Sequence, residues 1–219
     1  MKLSLPLTVA ATAVVAPHAF AITVPFAETF AAGNSGWTNS ANAAIGWNAT
    51  GGPDNSGFIS TTFNLTGQPD AATPVLVRGQ AGASGGLFTG DWIAAGVTQV
   101  SVDVRHSATA PLTIFARFAQ APAPGAIMTS SFAVPANQWT TLTFDINPTN
   151  PLWLNFEGSS YAAVLSNIQR IQFGVVVSAA ANLTGPYTLD VDNVRVIPAP
   201  SIGALAGLAG LVAMRRKRI

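Results

Sequence analysis

The sequence predicts an all-β fold, a two-sheet antiparallel sandwich over residues 22–197, set between two terminal segments of different character. Three observations predict it. Apolar residues alternate at period two in one run after another, as in strands with a single buried face. The runs are short and bounded by Gly, Pro, Asn and Ser, in a chain of 219 residues with 20 Gly and 15 Pro. Helical periodicity is confined to one short stretch, Tyr161–Ile168.

The strands follow in order. The first is expected over Thr23–Phe30, followed by Gly57–Asn64 and Pro74–Gly79. Val97–Arg105 is the clearest run, with Val100, Val102 and Val104 on one face. Pro111–Phe118 turns Leu112, Ile114, Ala116 and Phe118 inward, and Ala126–Val134 comes next. Trp139–Ile146 repeats the scheme through Leu142, Phe144 and Ile146, and Arg170–Val177 through Ile171, Phe173, Val175 and Val177. Tyr187–Ile197 closes the domain. By the same parity Arg78, Arg105, Arg117, Arg170, Asp103 and Asp145 fall on non-core faces, which agrees with sheets that have one face in and one face out. Strands at this spacing fit a sandwich of the jelly-roll kind.

Residues 1–21 read as a secretory signal peptide. Lys2 supplies the positive start, Leu3 to Val15 the apolar region, Pro17 a helix break, and Ala19-Phe20-Ala21 a small-x-small cleavage site before Ile22. Residues 198–219 form a second signal. Pro198-Ala199-Pro200-Ser201 leads into an uncharged apolar run over 202–214, which stops at Arg215-Arg216-Lys217-Arg218. As a helix this run spans about 20 Å, short of the ~30 Å hydrocarbon core, and snorkelling arginines extend its reach. Basic residues favour the cytoplasmic side, which leaves the domain outside. This arrangement resembles the PEP-CTERM sorting signal of bacterial surface and matrix proteins, with Ala199 where that family has Glu. The resemblance implies an exosortase-type processing enzyme as partner and a membrane-inserted C-terminal helix.

Composition excludes several function classes. There is no cysteine, hence no thiol nucleophile, cysteine zinc site or iron–sulfur ligation. Of the two histidines, His18 lies in the signal peptide and His106 stands alone, so a multi-histidine metal site cannot be built. Between Ile22 and Pro200 five Arg and no Lys face nine acidic residues, a balance of −4. Such a domain has no basic footprint for nucleic acid. A Ser-His-Asp arrangement would need His106, and no Gly-x-Ser-x-Gly elbow surrounds any serine. Gly82 to Gly90 lacks the Lys and the strand–helix context of a phosphate loop. Asp91, Asp103, Asp145 and Glu157 are carboxylates enough for glycoside hydrolysis, but nothing in the sequence sets two of them at a productive separation. The expectation is a protein without enzymatic activity.

Four motifs occur in a telling order: Phe26-Ala-Glu-Thr-Phe30, Gly51-Gly52-Pro53-Asp54-Asn55-Ser56-Gly57, Ala136-Asn137-Gln138-Trp139-Thr140 and Leu189-Asp-Val-Asp-Asn-Val194. Together they resemble the galactose-binding-like jelly rolls that include many carbohydrate-binding modules. That resemblance implies a structural calcium held by Glu28 and Asp192, with Asp190 as an alternative ligand. Asp54-Asn55-Ser56-Gly57 looks like a fragment of a calcium loop but lacks the remaining ligands, and is read as a turn. Sugar sites join aromatic faces to a few planar polar groups. Trp37, Trp47, Trp92, Trp139 and Trp153 are the candidate aromatics, and Asp103, Arg105, Phe115 and Arg117 a candidate ligand-facing set. The expected function is an adhesive or structural role at the bacterial surface or in the matrix, with exopolysaccharide as contact. The alternatives are a dedicated carbohydrate-binding module with one glycan ligand, and a secreted glycoside hydrolase.

Overall fold

The computed structural model describes residues 22–178 and 183–200. The expected signal peptide, the apolar run at 202–214 and the basic residues Arg215 to Arg218 lie outside the described residues.

Two antiparallel sheets face each other across one core. Sheet I runs β3 (Gly46–Asn48), β4 (Phe58–Phe63), β12 (Tyr187–Pro198), β6 (Val97–His106) and β9 (Thr140–Asp145), and β1 (Phe26–Glu28) pairs with the far half of β12. Sheet II runs β10 (Trp153–Phe156), β8 (Gly125–Thr129), β7 (Ile114–Ala119), β11 (Arg170–Val175), β5 (Val75–Gly79) and β2 (Thr38–Asn39). One short helix, α1 (Tyr161–Leu165), follows β10, and Ser160 caps it by accepting from the Ala163 N–H. The all-β sandwich is as the alternation predicts.

The core is built from the residues that alternation turns inward. Val100, Val102 and Val104 of β6 meet Leu189, Val191, Val194 and Val196 of β12. Across the gap stand Ile114, Ala116 and Phe118 of β7 and Ile171, Phe173 and Val175 of β11. Trp37 stacks on Phe173 with ring centroids 6.3 Å apart, and Trp92 tilts against Phe118 at 5.4 Å. Burying side chains of this kind stabilises by about 1.5–3 kcal/mol each, enough for the core to stand without a disulfide.

Strict alternation along β12 would put Leu189 and Val191 on one face and Val194 and Val196 on the other. A bulge reconciles them. Asp192 opposes Asp103 and Arg195 opposes Ser101, so Asn193 and Val194 together face a single residue of β6. Asn193 takes the left-handed conformation that such a bulge requires, at φ 49°. As a result Asp190 and Asp192 point outward while all four apolar residues stay inside.

The structure departs from the sequence reading at short elements. β2, β3 and β10 were not anticipated, and α1 ends at Leu165 rather than Ile168. The Ala126–Val134 strand stops at Thr129; Val134 instead forms an isolated bridge with Leu112. Pro198 is the last residue of β12, and the Ala199 N–H donates to the Gly96 carbonyl before the chain leaves the sheet, with Ala199 and Pro200 exposed.

Candidate functional site

The expected ligand-facing set divides between the two sheets. Asp103 and Arg105 lie on the outer face of sheet I, Phe115 and Arg117 on the outer face of sheet II. The core separates the two pairs, so the four residues cannot form one site. The two faces also differ in kind.

Sheet I's outer face is closed. Asp103 and Asp192 sit opposite each other on β6 and β12, with Arg105 opposite Asp190. The loop over residues 49–57 folds across them. Ser56 Oγ donates to Asp192 Oδ2 at 2.7 Å, Arg105 Nη1 to the Gly51 carbonyl at 3.4 Å, and Trp139 Nε1 to the same carbonyl at 2.9 Å. Asp54 to Gly57 make the turn of this loop, as the sequence suggested, and the Asn55 N–H closes it onto Gly52 O at 3.1 Å. Gly52 has no room for a side chain: a Cβ there would stand 2.8 Å from Asp192 Oδ2 and 2.4 Å from Ser56 Oγ.

Beneath the loop every carboxylate is engaged. Asp103 accepts from Thr141 Oγ1 and from Asn193 Nδ2, and Asp190 accepts from Ser60 Oγ and Arg105. The Asn193 N–H supplies the second bond to Asp192. Burial pushes the Asp192 carboxyl up and Asp103 adds to the rise, against the bonds from Ser56 and Asn193 and the nearby Arg195. The Arg105 guanidinium lies 4.7 Å from the Trp139 ring and 5.1 Å from Phe58, so Trp139 serves this network. Asp103 was expected to face a ligand, yet only 6% of it is exposed.

The calcium set does not come together. Glu28 opposes Val194 on the core-facing side of sheet I, whereas Asp190 and Asp192 face outward. Glu28 Oε1 accepts from the Phe30 N–H at 2.8 Å and Oε2 from Ser84 Oγ at 2.7 Å. Ser84 Oγ also accepts from Trp37 Nε1, which makes Glu28 the anchor of a core tryptophan. Among the described residues no group of three or more His, Asp or Glu is placed to hold a metal ion. A hard cation that wants six to eight oxygens does not fit this donor set.

Sheet II's outer face is built differently. Its register sets Arg78, Gln172 and Arg117 side by side on β5, β11 and β7, and continues through Ile127 of β8 to Leu154 of β10. Arg170 lies on the same face, two residues along β11 from Gln172. Arg117 Nη1 donates to Gln172 Oε1 at 2.6 Å, and its Nη2 pairs with Glu157 at 2.9 Å. Gly125 permits this: a Cβ there would come 2.9 Å from the Arg117 guanidinium, which therefore lies flat across β8. Arg78 Nη1 donates to Asn42 Oδ1 at 3.2 Å and Arg170 Nη1 to the Pro122 carbonyl at 3.0 Å. The Nε atoms of both arginines are buried without a partner. Burial lowers the Arg78 pKa, and Arg170 and Arg117 lower it further. At the far end of the row Leu154 is 62% exposed.

Phe115 also belongs to this face, but its ring lies down over Gly174 and is 0% exposed, so it offers no stacking surface. Trp37 and Trp92 are core residues. Trp153, half-buried, stacks on Phe118, and only Trp47, 40% exposed, stands largely in solvent. An open groove lined by several tryptophans is absent among the described residues.

Among the described residues no paired carboxylates face a cleft. Thr141 opposes Asp103, so Asp145 lies four residues further along the same face, about 13 Å away and beyond the range for glycoside hydrolysis. Asp91 accepts from the Ala94 N–H in a loop, and Glu157 serves sheet II. Two cavities of about 170 and 350 Å³, beside Leu65–Gln68 and Ala110–Thr113, are lined by no titratable side chain.

No family model matches the chain, and no curated protein matches its sequence. Solved structures do resemble it in fold. An exo-β-agarase shares 15% identity over 72% of this chain at a TM-score of 0.43. A two-module chain of an endo-1,4-β-D-xylanase from Clostridium thermocellum shares 12% over 80% at 0.46. The present chain spans 23% and 28% of those two proteins. The CBM22-1 xylan-binding domain from Paenibacillus barcinonensis shares 14% over 80% of this chain and 95% of its own, at 0.44. None of these likenesses specifies a ligand for this chain.

Proposed function

We propose that this domain is a non-catalytic polysaccharide-binding module of an exported bacterial surface or matrix protein, and that it meets its ligand on the outer face of sheet II. The arginines Arg78, Arg117 and Arg170, set around the buried Gln172 (2% exposed) and running into exposed Leu154, carry the reading. Guanidinium groups held flat by a sheet present paired hydrogen-bond donors, which suits vicinal hydroxyls and sugar carboxylates. The apolar end offers a surface to the C–H faces of sugar rings. Sheet I cannot serve equally, because the 49–57 loop folds across its polar groups. Affinity electrophoresis of the mature domain in gels carrying different polysaccharides tests the proposal. Retardation by at least one, abolished in Arg117→Ala with Leu154→Ala, is expected; free migration in all of them would sink it.

The terminal segments support the setting of this activity. The Pro198-Ala199-Pro200 motif begins on the last residue of β12, and Ala199 and Pro200 are exposed, where a membrane-bound processing enzyme of the exosortase type can reach them. Mass spectrometry of protein recovered from the cell surface decides the point. A chain ending before Ile202 indicates processing, and an intact Arg215–Arg218 tail indicates a plain membrane anchor.

A further inference from the structure

The charged residues of the domain are segregated between the two sheets. The strands of sheet I contain Glu28, Asp103, Asp145, Asp190 and Asp192 against Arg105 and Arg195. Those of sheet II contain Arg78, Arg117 and Arg170 and no acidic residue at all. All three arginines share the outer face. Their backbone positions form a triangle with sides of about 8–10 Å, from interstrand spacings near 4.8 Å and a rise near 3.4 Å. In a domain with nine acidic residues and five arginines this clustering runs against the mean charge.

The fold leaves the cluster incompletely paired. Glu157 neutralises Arg117. Among the described residues neither Arg78 nor Arg170 forms an ion pair, and each has a buried Nε without a hydrogen-bond partner. Their bonds to Asn42 and the Pro122 carbonyl orient the two guanidiniums without neutralising them. Three like charges held on one sheet face repel one another, and nothing in the packing of the core requires them there.

We infer that the polysaccharide bound by this face is acidic, its carboxylate or sulfate groups meeting Arg78 and Arg170 while its sugar rings lie along Arg117 and Leu154. The inference rests on the proposal that sheet II binds a glycan, and adds the chemical class of that glycan. A polymer with one anionic group every one or two sugars can meet more than one arginine of such a cluster. Nucleic acid, with a charge every ~1.7 Å of axis, calls for a longer basic track than three arginines on a domain of net negative charge.

The test is affinity electrophoresis and calorimetry on the mature domain with polygalacturonate, dextran sulfate, neutral xylan and dextran, at low and moderate salt. Binding of polygalacturonate, dextran sulfate or both, weakening as salt rises, is expected, and the preferred one identifies the anionic group. The R78Q/R170Q variant should lose roughly tenfold in affinity for the acidic polymer. Arg195→Gln, which removes one positive charge from sheet I, should bind as the parent does. Melting curves of each variant show that the fold is retained. Equal binding of neutral and acidic polymers, or an R78Q/R170Q variant that binds like the parent, overturns the acidic assignment while leaving the glycan-binding proposal standing. Equal retardation by a DNA fragment overturns the assignment to a glycan. No binding to any polymer removes both proposals.

Discussion

Replacing Arg105 by methionine tests whether the closed network on sheet I holds the 49–57 loop in place. Arg105 Nε and Nη2 both reach Asp190 Oδ2, at 2.9 and 2.8 Å. Asp190 is 6% exposed, so the substitution strands a carboxylate whose remaining partner is the Ser60 hydroxyl. Loss of a hydrogen-bonded charge of this kind costs about 1.5–3 kcal/mol. The guanidinium also lies against Trp139 and Phe58, which adds roughly 0.5–1 kcal/mol. Because 29% of the Arg105 side chain is exposed, solvent screens part of this, and a net loss of about 2–3 kcal/mol is expected. Urea denaturation followed by tryptophan fluorescence reads it as a lower midpoint at unchanged slope. For a domain of this size the melting temperature should fall by about 4–10 °C. Asp190→Asn in the same chain should recover about 1 kcal/mol or more, since no charge is then stranded. A loss below about 1 kcal/mol, or a double variant no better than the sum of the two single ones, would refute the reasoning.

Three further outcomes follow from the same structure. Gly52→Ala should destabilise the domain by about 1–3 kcal/mol, because its Cβ would stand 2.8 Å from Asp192 Oδ2 and 2.9 Å from the Ser56 carbonyl oxygen; an unchanged melting midpoint contradicts the account of the loop. His106 is buried, donates from Nε2 to the Val134 carbonyl and leaves Nδ1 without a partner, and burial holds its pKa below the ordinary 6.5. With the native pKa depressed, its stabilising contribution is complete above about pH 6.5 and is lost as pH falls from there towards the native value. Stability measured from pH 7.5 to 5 should therefore fall less steeply in His106→Phe than in the parent, and parallel curves would exclude this role. Excess chelator should leave the melting midpoint within about 1 °C, since Glu28 and the pair Asp190 and Asp192 lie on opposite faces of sheet I; a larger drop would show that a metal is held after all.

Much of the strand framework was legible because alternation is a local property. β6, β9 and β11 carry apolar residues at every second position with charged or polar ones between, and the structure places them within a residue or two of the expected bounds. β2 and β3 have two and three residues, too few to show a period. β10 reads Trp-Leu-Asn-Phe, in which apolar side chains occupy both faces. The bulge at Asn193 is invisible in β12 alone, because it exists only against the facing residue of β6.

The sites show the same division. Parity assigned Arg78, Arg105, Arg117, Arg170 and Asp103 to outer faces, and the structure agrees for each. Outer proved not to mean solvated for Asp103, since the 49–57 loop covers it, nor for Phe115, which Gly174 allows to lie flat. Gln172, a polar residue in a strongly apolar strand, is the signal in the sequence for this face, and it too is buried, holding Arg117. Which residues turn inward and which outward can be read along the chain, because a strand has a period of two. Which sheet each strand joins is settled in three dimensions. That choice placed Asp103 and Arg105 across the core from Arg117, and brought Arg78, Arg117 and Arg170 together. Strand partners are selected by register and packing between segments distant in sequence, and no local pattern encodes them.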